Sequence, residues 1–432
     1  MQKYITVGLL CMLMSFVKYC GIEKGLSAAE ISKNAGNHHS PEQHFYVSDF
    51  GALPDGKTIN TKTMQYAIDA CHLAGGGIVY CGPGRYVTGS LMLKSNVEFH
   101  LANGCTIIGS TSLTDYYELM ADGFRGKNAP EGSSKSLFFA IEAENIAITG
   151  SGEINGSGLA FYNTDDFAGR FFRKPNTARP RIVTFYKCRN VRFEGVDYID
   201  SSCWTFWLMK CERVSIHRVK ISGDQRMINN DGIDLDSCRD VTVSDCSFKT
   251  GDDCLILRSI SQVFDTPGIC ENIAITNCTL DSWCQGIRVG CPGDNVIRNC
   301  TFSNLVINSA GNGIVFVNPK RYLPKDSSVR ADIHDILFSD IIIDCAGSPI
   351  TLLVENGITL QRLSDLSFSH FRVRSGLPIQ VEGCPETIIR NVSFNDMGIT
   401  TSGENAIICH FCEDIKFDNM ELSNIPDTGL GK

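Results

Sequence analysis

Three aspartates carry the most pointed chemistry in this chain. Asp231 lies in Asn229-Asn230-Asp231-Gly232-Ile233-Asp234, and Asp252 and Asp253 follow Gly251 twenty-one and twenty-two residues further on. All three sit at glycine-marked corners between short apolar strands. In a coil of about 21 residues per turn the two corners lie one above the other, roughly 4.8 Å apart along the stack. A carboxylate cluster on an outer face suits cleavage of a glycosidic bond, where one carboxyl must be protonated and another must act as base or nucleophile. Crowded negative charge disfavours further ionisation, so one carboxyl can keep its proton near neutral or mildly acidic pH. Consecutive Asp252 and Asp253 would alternate faces on a regular strand, so both reach one groove only if the backbone bends at Gly251. The rival reading is a set of solvated turn aspartates on an inert stack, since aspartate is common in turns.

The elements that must position these residues are short and repetitive. Asn145-Ile146-Ala147-Ile148, Asn190-Val191-Arg192-Phe193, Asp240-Val241-Thr242-Val243, Asn272-Ile273-Ala274-Ile275 and Asp365-Leu366-Ser367-Phe368 share one phrase, a polar turn residue before an alternating strand. Arg213-Val214-Ser215-Ile216 and Asn295-Val296-Ile297-Arg298 repeat it, and the steps of 23 from Val191 to Val214, 27 from Val214 to Val241 and 23 from Ile273 to Val296, with longer gaps where loops intervene, fit one coil of a parallel β-helix. Leucine-rich repeats compete, but they need regular leucines and a helix or tight turn per repeat, whereas β-branched residues dominate here. One helical pattern occurs, from Thr61 to Ala74, with Met64, Ala67, Ile68 and Cys71 on one face, Asn60 or Thr61 as N-cap and Gly75-Gly76-Gly77 as the stop. It is expected to cap the N-terminal end of the stack against edge pairing. Cys188, Cys211, Cys238, Cys270 and Cys412 fall at one place in the repeating phrase, which predicts a ladder of buried thiols rather than disulfides. No cysteine spacing suggests a zinc site.

The 40 glycines and 20% charged residues among 432 predict many turns and an extensive interior. The net charge of −9 argues against nucleic acid as partner, while leaving room for a local cationic pocket. Lys3, an apolar run from Ile5 to Val17, and Lys18 read as a secretory leader, too short to span a membrane. Ser27-Ala28-Ala29 offers a cleavage site, and Cys11 or Cys20 a lipidation site. The expected organisation is a leader or lipoprotein signal over 1–20, a linker over 21–44 that holds a solvated His38-His39, and a single β-helix domain over 45–432. No further segment has the length of a transmembrane helix. The expected location is outside the cytoplasm, and the expected state is a monomer. Two insertions, about 112–136 and 157–181, interrupt the early coils. The second holds Arg170, Arg173, Lys174, Arg179 and Arg181 among Phe167, Phe171 and Phe172, which reads either as a solvated loop or as a cationic, aromatic wall over a groove. Trp204, one coil before Asp231, is placed to stack on a sugar face, and Trp207 is equally suited to filling the core.

The motif residues resemble glycoside hydrolase family 28, the polygalacturonase-type enzymes. The likeness begins at Asp49-Phe50-Gly51-Ala52, passes through Asp55-Gly56, Gly75-Gly76-Gly77 and Thr88-Gly89, and culminates in Asn229-Asn230-Asp231-Gly232 and Gly251-Asp252-Asp253. There the family has Asn-Thr-Asp-Gly and Gly-Asp-Asp, so that only Asn230 departs. The resemblance implies an all-β, right-handed parallel β-helix, a pectic glycan containing α-linked galacturonic acid as substrate, no cofactor and no metal. It implies inverting hydrolysis with Asp252 as the acid and Asp231 and Asp253 holding and activating a water, across a gap of roughly 6.5–9.5 Å. Where the family has Gly-His-Gly this chain has Cys284-Gln285-Gly286, and where it has Arg-Ile-Lys this chain has Val315-Phe316-Val317. Substrate positioning is therefore expected to fall to Asn229, Gln285, Arg288 and Lys320. These departures make rhamnogalacturonan-type linkages as plausible a target as homogalacturonan. Two rival functions share the fold: a polysaccharide lyase whose aspartates bind calcium and whose arginine or lysine abstracts a proton, and a non-catalytic glycan-binding β-helix.

Overall fold

The polar residue ahead of each short strand is where the coil turns. Asn145, Asn190, Asp240, Asn272, Asn299, Asp335, Asp365, Asn391 and Asp414 all have φ between 51° and 57°. Asparagine and aspartate enter this left-handed region more readily than other residues with a Cβ, which is why the phrase begins with them. Their side chains then bond along the stack. Asn190 donates to Asn145 at 2.8 Å, Asn272 to Asp240 at 2.9 Å and Asn391 to Asp365 at 2.6 Å.

The computed structural model describes residues 43–323, 327–402 and 405–424, so the expected leader, linker and His38-His39 lie outside the described residues. Parallel strands wind into a β-helix, with one sheet of 20 strands that runs through the corners and a second of 11 strands. In the second sheet, strands Phe206–Met209, Ile233–Asp236, Leu255–Arg258, Gln285–Val289 and Asn312–Asn318 pair in sequence. Their alternation places Phe206, Ile233, Leu255, Ile287 and Ile314 in the interior, all essentially buried. Trp207, Asp234, Ile256, Arg288 and Val315 occupy the register positions between them, on the outer face.

The interior is built from like stacked on like. The rings of Phe302, Phe338, Phe368, Phe394 and Phe417 lie almost parallel, with centroids 4.6, 5.0, 5.2 and 5.4 Å apart. Cys188, Cys211, Cys238 and Cys270 are free and buried. Cys211, Cys238 and Cys270 each donate to a carbonyl of an earlier coil, those of Phe185, Leu208 and Leu235. The expected thiol ladder is present at these four positions, and no cysteine among the described residues is paired in a disulfide. Cys412, the fifth, is only half-buried.

Helix α1 (Thr61–Leu73) buries Met64, Ala67, Ile68 and Cys71 and packs against the strands of the first coils. Asn60 occupies its N-cap, but the Asn60 carboxamide bonds the main chain of Leu53 and Thr58 instead of the helix. Among the described residues no helix is long and apolar enough to cross a membrane.

Candidate active site

The pairing of Ile233 with Leu255, extended back two residues, sets Asp231 against Asp253. The Gly232 N–H donates to the Asp253 carbonyl at 2.9 Å and fixes this register. The step between these corners is thus 22 residues, and Asp252 falls opposite Asn230. The Asn229 N–H meets the Asp252 carboxylate at 3.2 Å. The expected bend at Gly251 is also there. A Cβ on Gly251 would lie 2.5 Å from the carbonyl oxygens of Gln225 and Met227, so no larger residue fits. Thr250 and Ser282 hydroxyls both donate to the Asp252 carbonyl, at 2.5 and 2.8 Å. That grip accompanies a backbone that has left regular strand geometry, and it lets the two consecutive carboxylates approach one another. One oxygen of Asp252, one of Asp253 and the Cys284 sulfur all lie within 4.8 Å of each other.

Burial sets the electrostatics. Asp231 is 5% exposed and Asp253 4%, and burial pushes both carboxyls well above the usual aspartate range, with the neighbouring Asp252 charge adding to it. Asp253 is opposed by Arg288, whose Nη1 is 3.9 Å from its Oδ2. Asp231 Oδ1 and Asp253 Oδ1 are buried without a hydrogen-bond partner, as are both oxygens of Asp234. Such atoms call for a partner from outside the protein, whether a water, an ion or a ligand. The nearest oxygens of Asp252 and Asp253 are closer than the roughly 6.5–9.5 Å an inverting pair spans. A water held among these carboxylates would meet the outer oxygens of Asp252 and Asp253 or those of Asp231.

Of the residues expected to position substrate, three surround the carboxylates. Asn229, at φ 60°, donates its main-chain N–H to Asp252 and accepts at 3.0 Å from Arg179, whose guanidinium is 1% exposed. The strand containing Arg288 pairs with that of Ile256, and Arg288 meets Asp253 on one side and the ring of Tyr322 on the other, 5.3 Å from its centroid. Gln285 starts the same strand, and its side-chain oxygen is buried without a partner. Lys320 is placed differently. Its main-chain N–H donates to Glu355 at 2.7 Å, and its ammonium lies 3.2 Å from where a Cβ of Gly357 would stand. That puts the charge on later coils, beyond the strand of Ile350–Val354. Tyr322, two residues along, is what reaches Arg288. Val315, in register with Arg288, is fully buried.

Several readings of the insertions need correction. Arg179 and Arg181 are each 1% exposed, so they form neither a solvated loop nor an open wall. They are buried struts: Arg179 binds Tyr162 and the Ile228 carbonyl, and Arg181 binds the carbonyls of Ser133 and Pro130. The wall is the short hairpin of Phe167–Ala168 and Phe171–Phe172. From its turn Arg170 reaches the carbonyls of Trp283 and Ala310 and lies over the ring of Trp283. Trp204 is 4% exposed, covered by the guanidiniums of Arg181 and Arg258 at 5.1 and 5.8 Å, and offers no face to a sugar. Trp207 is fully buried, outside the coil interior, in a second apolar cluster with Leu119, Phe139, Met209, Val263 and Phe264. The insertion around 119–129 and the loop around 260–264 close over this outer face.

Sequence reasoning passed over Asp234, Arg258 and Cys284. Asp234 was visible inside the Asn229–Asp234 motif. Arg258 and Arg288 become partners only through the fold, each donating to the Cys291 sulfur, at 3.3 and 3.4 Å.

Parallel coils thus bring the buried Asp231 and Asp253 and the half-buried Asp252 together beside Arg288, on the outer face of a β-helix. Residues 97–376 match the model of glycosyl hydrolases family 28, and the chain belongs to that family. A probable polygalacturonase of Vitis vinifera is 28% identical over 240 residues, 54% of this chain and 47% of the relative. A probable polygalacturonase of Arabidopsis thaliana is 25% identical over 328 residues, 68% of this chain and 66% of the relative. The matched region thus spans less than two thirds of either protein. Among solved structures, the family 28 exopolygalacturonase of Yersinia enterocolitica has a TM-score of 0.65 at 20% identity, covering 87% of this chain and 78% of that one. At that identity the likeness speaks for the fold.

Proposed function

We propose that this chain hydrolyses pectic glycans containing α-linked galacturonic acid, with inversion at the anomeric carbon. The observation that carries the reading is the convergence of Asp231, Asp252 and Asp253, with buried oxygens lacking protein partners, beside a guanidinium. Asp252 serves as the acid on the leaving oxygen, and Asp231 and Asp253 seat and activate the water. Arg288 supplies the cation for a uronate carboxylate, in place of the family's cations at Val315 and Val317. Asn229 holds Asp252 and Gln285 lines the site where the family has histidine, while Lys320, whose charge lies on later coils, takes no part. The apolar cluster that covers the outer face before Asp231 favours attack near a chain end over attack within a long chain. The enzyme works as a monomer, outside the cytoplasm; the export reading rests on the leader residues from Lys3 to Lys18.

Defined galacturonan and rhamnogalacturonan oligosaccharides, with products followed by NMR, test this reading. Hydrolysis should give the β-anomer first, and Asp252→Asn should lower kcat by about 10³-fold with an unchanged circular dichroism spectrum. Unsaturated, ultraviolet-absorbing products lost on chelation would establish a lyase instead. Binding with no new reducing ends would leave a glycan-binding module.

A further inference from the structure

Cys284 stands in the carboxylate centre and has no part in the hydrolysis just described. Unlike the four buried ladder thiols Cys188, Cys211, Cys238 and Cys270, it is only half-buried. Its backbone is fixed on both sides: its N–H donates to the Ser282 hydroxyl at 2.8 Å, and its carbonyl accepts from the Asn312 N–H at 2.9 Å and the Ser309 hydroxyl at 3.0 Å. The thiol is therefore held at the mouth of the Asp252-Asp253 corner.

We propose that Asp252, Asp253 and Cys284 form a binding site for a divalent cation of the zinc class, and that the cation blocks the centre in competition with the glycan. One donor atom from each residue lies within 4.8 Å of the other two. Around a tetrahedral zinc ion such atoms stand roughly 3.3–3.8 Å apart, so modest side-chain rotations close the set. Independently of the cluster, Asp253 is 4% exposed and its Oδ1 has no partner. That is an acceptor removed from water and left unsatisfied by the protein. Two carboxylate oxygens and a sulfur select the cation. Calcium takes six to eight oxygens and magnesium a near-ideal octahedron, whereas zinc and cadmium accept mixed oxygen and sulfur sets. Three protein ligands also leave one position open for water.

Binding is a proton exchange without redox change. The Cys284 S–H bond and the O–H bond of each carboxyl of Asp252 and Asp253 that holds a proton break, those protons pass to solvent, and one sulfur and two oxygen lone pairs form the bonds to the metal. Two carboxylates and a thiolate bring three negative charges to a dication, with Arg288 3.9 Å from Asp253 absorbing the excess. Seated there, the ion holds the carboxylate of the proposed acid. The blocking of turnover rests on the hydrolase reading, but the binding does not.

The test titrates cadmium into the full chain and follows the thiolate-to-cadmium charge-transfer absorption, with zinc affinity measured by competition against a chromophoric chelator. The Cys409→Ser variant serves as control, because Cys409 is exposed. Cys284→Ser should remove one equivalent of cadmium absorption and weaken zinc binding more than about tenfold, and Asp253→Asn should weaken it similarly. Zinc should raise the KM for the oligosaccharide and leave kcat unchanged, with a chelator restoring the original value. Unaltered metal binding in both Cys284→Ser and Asp253→Asn, each folded by circular dichroism, would overturn the site. Metal binding in a chain that hydrolyses no glycan would sink the proposed function alone, and hydrolysis indifferent to zinc would sink the blocking role.

Discussion

On one side of the coil, left-handed residues recur in pairs five positions apart: Asn272 and Asn277, Asn299 and Asn304, Asp335 and Asp340, Asp365 and His370, Asn391 and Asp396. On the other side the connections out of the second sheet change from coil to coil, running from Arg258 to Ile269, from Val289 to Val296 and from Asn318 to Asp332. The corner side has its polar side chains bonded to the coils above and below. The groove side buries Asp231, Asp234, Asp253 and Gln285 with oxygens left unpaired. One backbone thus supports two regimes, a repetitive flank that keeps the stack in register and a variable flank that bears the cost of a site.

The strongest way to break this contrast is to remove the packing that closes the variable flank. Trp207 lies 4.6 Å under the Arg181 guanidinium and is fully buried. Trp207→Ala should cost about 3–5 kcal/mol, read from the urea midpoint. A loss below about 1 kcal/mol would show that the outer cluster is not structural.

A second test uses pH. Burial raises the Asp236 carboxyl from 3.8 to about 7, against the hydrogen bond it accepts from the Ile260 N–H. The folded protein keeps a proton that the unfolded chain releases above about pH 4, so this contribution is complete below that point and fades as pH rises through about 7. Unfolding free energies from urea titrations across this window should fall by a few kcal/mol in the parent. In Asp236→Asn they should fall less, and equal slopes would contradict the assignment.

The smallest effect sharpens the other flank. Asn304, at φ 52°, donates to Asn277 at 2.7 Å. Asn304→Ala should lose about 1–2 kcal/mol, and Asn304→Gly should recover part of it by removing the Cβ. If Gly is no better than Ala in the same urea titration, the corner is held by its side-chain bond and not by its backbone.

The regular flank was legible in the sequence because each corner there demands the same residue types at the same phase. Asn190, Asp240 and Asn272 announce their conformation by identity, and the alternating strands that follow announce their buried face. The aspartate trio was legible too, though one residue out of register: a 21-residue step stacks Asp231 on Asp252, and the pairing of Ile233 with Leu255 sets it against Asp253. The covering of Trp204 was not, because guanidiniums from two other stretches of chain, Arg181 and Arg258, decide it. Arg179 and Arg181 read as a charged surface run, yet their fate depends on carbonyls of Ile228, Ser133 and Pro130 that only the folded chain brings near. Lys320 was drawn to the site by its number alone, and one short turn after Asn318 sends its charge elsewhere.

Among the described residues, the column of phenyl rings from Phe302 to Phe417 has as its last member a ring that is 44% exposed. Each ring is held chiefly by its two neighbours, so the last has half the support of those inside, and loosening it weakens the next in line. Heat or denaturant should therefore peel this molecule turn by turn from the Phe417 side. The aspartate corners, lying many turns inward, would outlast that fraying and keep their shape after the far end has begun to unravel.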